Sequence, residues 1–127
     1  MNIGIYEALL DTINSPIVFV DNDHVICYLN KAAKIRYYEK RGYSELLGKS
    51  LFECHNAESE KKVKQIHSKL LDGENEVFLK VTDDNETITV VAVRDATGKL
   101  MGYYERFEKT AEPGVSVGRA GSSGSEI

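Results

Sequence analysis

The residues best equipped for chemistry gather around the middle of the chain. His67 lies in a lysine-rich stretch, Ala57–Leu71, whose apolar residues Val63, Ile66, Leu70 and Leu71 recur at helical spacing. At four residues from Val63 and three from Leu70, its imidazole falls on the apolar face of that helix. An imidazole so placed can ligate a metal or orient a ligand; the competing reading is a histidine at the edge of the stripe, hydrogen-bonded or partly exposed. Cys54-His55 stands just before the same helix. A thiol near a helix N-terminus can be held as a thiolate, which would suit thiol-redox chemistry. Adjacent residues chelate one metal poorly, however, and no C-x-x-C, H-x-x-x-H or C-x-x-C-H spacing accompanies the pair.

Tyrosines are the next resource. Tyr28, Tyr37, Tyr38, Tyr43, Tyr103 and Tyr104 can line a pocket and offer hydroxyls, or equally serve as core and sheet-face residues. Arg94 and Arg106 could hold a carboxylate through two parallel hydrogen bonds, or stand at a solvated sheet edge. Machinery for catalysis is not legible. The chain has no P-loop, Gly-rich dinucleotide turn, nucleophile elbow or metalloprotease motif, and no carboxylate pair is singled out by its surroundings. The expectation is a protein that is not an enzyme.

Composition narrows the partners. With 127 residues, 42% hydrophobic and 28% charged, the chain matches one soluble globular domain. A net charge of −4 argues against a nucleic-acid-binding face, which would need a basic patch. No apolar run approaches the roughly 20 residues that span a bilayer, and the first residues do not read as a secretory signal. Two cysteines are too few for a disulfide framework. These features predict a cytoplasmic protein with no membrane and no nucleic-acid partner.

The elements that must position these residues follow from periodicity and turn chemistry. Tyr6, Leu9, Leu10 and Ile13 predict an amphipathic N-terminal helix within residues 1–14, ended by Asn14-Ser15-Pro16. Residues 16–21 and 25–29 predict a hairpin joined by the turn Asp21-Asn22-Asp23-His24. Asn30 is placed to cap a short helix from Lys31. Residues 35–48 read as short helical turns and loop. The long helix 57–71 has Asn56 as its cap and Asp72-Gly73 as its stop. Three strands follow, at 76–82, 87–95 and 100–107, with Met101, Tyr103, Glu105 and Phe107 expected on one face. From residue 109 to 127 the chain turns Gly- and Ser-rich and is expected to be a disordered tail.

This order, helix, two strands, several helices, three strands, resembles the PAS fold, an α+β architecture in which helices cup one face of a five-stranded antiparallel sheet. Ser15-Pro16-Ile17-Val18-Phe19-Val20-Asp21 resembles its opening strand, and Asn30-Lys31-Ala32-Ala33 its N-x-A helix start. Glu45-Leu46-Leu47-Gly48-Lys49 resembles the segment before its long helix, and Val93-Arg94-Asp95 with Gly98-Lys99-Leu100-Met101-Gly102 the turn between its last strands. The resemblance covers Tyr6 to Glu108.

It implies a sensory or regulatory module, residues 15–108, that binds a small ligand or cofactor in the cup and signals through protein contacts with a partner in trans. The ligand-lining set would be His67, Tyr37, Tyr38, Ile66, Leu70 and Tyr103. Haem-binding members ligate iron with a histidine from this helix region, which nominates His67, although the usual ligand position falls near Lys62. Covalent flavin chemistry is disfavoured, because Leu51 stands three residues after Gly48 where light-sensing members carry cysteine; noncovalent flavin stays open. The alternatives are a ligand-free module that homodimerises through its N-terminal helix and a thiol-redox protein using Cys54.

Overall fold

The computed structural model describes residues 3–54 and 56–109. Helix α1 (Ile3–Asp11) leads into β1 (Val18–Asp21) and β2 (Ile26–Leu29), then α2 (Lys31–Lys34), which continues without a break into a π-helical turn, Ile35–Lys40. A 3-10 turn, Leu51–Cys54, precedes α3 (Ala57–Leu71), and β3 (Glu76–Val81), β4 (Glu86–Arg94) and β5 (Leu100–Lys109) complete the order. The five strands form one antiparallel sheet in the order β2-β1-β5-β4-β3.

The caps act where the residue types require. The Asn56 side chain accepts the Ser59 N–H at 2.8 Å, starting α3 with Glu58 and Glu60 at its positive end. Asn30 does more than cap α2. Its Oδ1 accepts from Ala33 N and Ile17 N, both at 2.9 Å, while its Nδ2 donates to the carbonyls of Leu10, Ile13 and Ser15 at 3.0–3.3 Å. One fully buried amide thus joins the end of α1, the entry to β1 and the start of α2. At the far side of the sheet Arg94 donates to the carbonyls of Leu70 (2.7 Å) and Glu74 (2.9 Å) and to Asn75 Oδ1 (2.9 Å). It caps the C-terminus of α3 rather than facing a ligand carboxylate, as suits a cation at the negative end of a helix.

The core lies between one sheet face and the helices. Val18, Val20, Val77, Leu79, Ile88, Val90, Tyr103 and Phe107 meet Leu29, Ala33, Tyr37, Leu46, Leu51, Val63, Ile66 and Leu70. Two expectations change. The register of β4 against β5 shifts between Val93 and Arg94, because Val93 pairs with Gly102 and Arg94 with Leu100. That makes Met101 the extra residue of a bulge, half exposed, while Leu100 turns into the core; Met101 does not share the buried face of Tyr103 and Phe107. The strand expected to end at Phe107 runs through Lys109, and the tail from residue 110 lies outside the described residues.

Candidate functional site

Local chemistry in the β1–β2 turn creates the most concentrated group of functional side chains. Asp21 Oδ1 accepts the N–H groups of Asp23 (2.9 Å) and Val25 (3.0 Å), which folds the turn tightly and puts His24 in the left-handed region at φ 63°. The backbone of His24 is pinned on both sides: its N–H donates to the Asp21 carbonyl, and its carbonyl accepts from Leu51 N at 2.7 Å. Its ring is thereby fixed among Phe52 (centroids 4.8 Å), His67 (4.8 Å, edge-on) and Tyr103 (5.8 Å).

Hydrogen bonds close this cluster. His24 Nδ1 and the Tyr103 hydroxyl are 2.7 Å apart, and His67 Nε2 is 3.1 Å from Asn22 Oδ1. Because Asn22 uses its Nδ2 to donate to the Leu100 carbonyl at 2.8 Å, its Oδ1 must accept, so the proton sits on His67 Nε2. Burial lowers the pKa of His67 below the ordinary histidine value, and burial, then the charges of His67 and Lys64, does the same for His24 against the opposing pull of Asp21 and Asp23. The phenol of Tyr103 is pushed far up, first by burial and then by Glu105 and Asp21, so it keeps its proton.

The residues nominated from sequence separate into three places. His67 and Tyr103 meet in the histidine cluster. Tyr37, Ile66 and Leu70 are buried as packing in the core. Tyr38, next to Tyr37 on the π-helical turn, points away from it, donates its hydroxyl to Glu45 and accepts from Leu46 N at 3.1 Å. His67 packs on Tyr103 of β5 and on His24 of the β1–β2 turn. It lies half-buried at the rim, with its Nε2 committed to Asn22. His24, which sequence reading treats as a turn residue, is the missing partner; its spacing to His67 carries no periodic signal.

The cavity lined by Val18, Val20, Leu51, Tyr103, Tyr104, Glu105 and Phe107 measures about 10 Å³, at most one water, against roughly 300–1,000 Å³ for pockets that hold drug-sized ligands. Neither a haem nor a flavin fits in that cavity as it stands. Among the described residues no group of three or more His, Cys, Asp or Glu is arranged to hold a metal ion. The Cys54 side chain and all of His55 lie outside the described residues. Cys27 is exposed, and burial of its sulfur followed by the charge of Asp21 pushes its thiol pKa up, away from thiolate chemistry.

Outward, a groove of about 350 Å³ runs between α1 and the Glu45–Leu47 segment, lined among others by Glu7, Asp11, Tyr28 and Leu47. Tyr28 reaches across it to the Asp11 carboxylate (3.0 Å) and the Glu7 carbonyl (3.2 Å); burial, then that bond to Asp11, raises its pKa to about 12. Beyond these bonds α1 and the turn after it expose apolar side chains: Ile5, Tyr6, Leu9 and Ile13 are 55%, 50%, 61% and 40% exposed. Among the described residues no helix is long and apolar enough to cross a membrane.

Comparison with known proteins agrees with this architecture. A family model described as PAS domain matches residues 6–109. The C-terminal domain of a Streptococcus mutans protein is similar at 21% identity and a TM-score of 0.70, over 86% of this chain and 85% of that one. A sensory box sensor histidine kinase from Vibrio cholerae gives 22% and 0.57, over 84% and 89%. The PAS domain of a Colwellia psychrerythraea protein gives 15% and 0.59, over 85% and 98%. Among curated proteins none matches.

Proposed function

The chain belongs to the PAS domain family, and from that premise we propose that it is a sensory or regulatory module that reports through protein–protein contacts, with a second copy docked on α1. The exposed apolar face of α1 carries this reading. A helix of nine residues is too short to be stable in water by itself. Its hold on the domain is polar and concentrated at its C-terminal end, through Asn30, Tyr28 and the bond from Lys31 N to Asp11 (2.9 Å). Four large apolar side chains are left in water, a strip that a two-fold axis would pair with itself. The output then acts in trans, through self-association or a further protein partner, and the sensor histidine kinase among the structural neighbours is in keeping with a signalling role.

Capture of a small molecule in the cup ranks behind this. The cavity against β1 and β5 holds at most one water, so haem or flavin there requires an opened state.

Light scattering coupled to size exclusion tests the proposal. The wild-type chain is expected at twice 14.2 kDa, and Leu9→Glu at the monomer mass with unchanged far-UV circular dichroism. A wild-type chain that stays monomeric at high micromolar concentration overturns the α1 dimer.

A further inference from the structure

The histidine cluster bridges four parts of the fold that are separate in the chain: the β1–β2 turn, the Leu51–Cys54 turn, α3 and β5. Asn22 and His24 come from the turn, His67 and Lys64 from α3, Tyr103 from β5, and Phe52 from the 3-10 turn between them. We propose that this cluster is an acid-sensitive clasp, whose protonation at the His24–His67 pair loosens α3 from the β1–β2 turn. This rests on reading the chain as a sensory module, for which the clasp supplies an input; it shares no residue with α1.

With His24 neutral and its proton on Nε2, the Tyr103 hydroxyl, which keeps its own proton, donates to His24 Nδ1. A proton on His24 occupies that nitrogen, so the N–H must donate to the phenol oxygen and the buried phenol proton loses its acceptor. The new charge also stands 4.8 Å, centroid to centroid, from His67 and near Lys64, whose ammonium lies 5.4 Å from the Phe52 ring centroid. Asp21 and Asp23 face His24 and favour its charge, but Asp21 Oδ1 already serves two backbone N–H groups. A second proton on His67 places like charges on touching rings. Both histidines have folded-state pKa values below their unfolded value of 6.5. The clasp therefore stabilises the fold above about pH 6.5, and that stability is lost as pH falls through the folded values.

Histidine side-chain NMR titration of the full chain tests this, with His24 and His67 assigned from single variants. Both midpoints are expected below 6.5. His67→Gln should raise the His24 midpoint, because it removes the like charge, and Tyr103→Phe should raise it too, because no phenol proton is left to orphan. Amide hydrogen exchange within Val63–Leu70, corrected for intrinsic rates, should be about tenfold faster near pH 5.5 than near pH 7.5. Midpoints at or above 6.5, a His24 midpoint indifferent to both variants, or α3 exchange that ignores pH would each overturn the clasp. Repeating the titration in Leu9→Glu keeps its failure distinct from failure of the dimer.

Discussion

Asn30 shows how much one side chain can be asked to do. Its oxygen and nitrogen together satisfy two N–H donors and three carbonyls, all in a setting from which water is excluded. Losing an N-cap costs about 1 kcal/mol, and leaving a buried donor or acceptor unpaired costs roughly 1–3 kcal/mol more. Asn30→Ala is therefore expected to lower stability by several kcal/mol in urea denaturation. Asn30→Asp separates the two halves of the role. It keeps the acceptor for Ala33 and Ile17 but turns an anion toward three carbonyls, so α1 should exchange its amide protons faster while α2 holds. The cap was legible in the sequence, since asparagine before Lys31-Ala32-Ala33 is a helix-start signal. The tie to α1 was not, because hydrogen bonds to carbonyls 15–20 residues away leave no trace in local spacing.

At the scale of elements, a close approach between strands occurs at Gly102. It sits on β5 between Asp21 on β1 and Val93 on β4, and a Cβ there would stand 2.1 Å from the Val20 carbonyl oxygen and 2.8 Å from the Phe19 ring. Backbone cannot yield as a flexible side chain does, so Gly102→Ala forces β1 and β5 apart. The expected loss is about 1–3 kcal/mol or more, read as a lower denaturation midpoint; an unchanged midpoint would mean that β1 can retreat freely. Arg94 shows the same interlocking between elements. A strand arginine becomes the cap of a helix that ended 23 residues earlier, because the α3–β3 connection carries Glu74 and Asn75 beneath it. Periodicity located both elements. Only packing brought one to the end of the other.

For the whole molecule, the decisive quantity is the space between sheet and helices. The cavity against β1 and β5 measures about 10 Å³, so the proposed sensing falls to the surface, to the histidine clasp, or to a rarer opened state. Adding haemin to the purified chain is accordingly expected to give an absorption spectrum that is the sum of the two components. A sharp Soret band that vanishes in His67→Ala would instead mean that the interior opens and that His67 turns inward to ligate iron.

The sequence by itself determined the order of elements, their caps and turns, and through them the family, because these depend on contacts a few residues apart: 3.6- and 2-residue periodicity, Asn before a helix, Asx turns between strands. It also put His67 on the inner stripe of α3. What only the tertiary structure decided was where that stripe ends. The β1–β2 turn, 43 residues before His67, folds back to present His24 and Asn22, and that long-range meeting gives the imidazole a ring neighbour and a hydrogen-bond partner. The same holds for the small cavity beside Tyr103 and the uncovered face of α1. Both are sums over side chains distant in the chain, and no local pattern records how much space such a sum leaves.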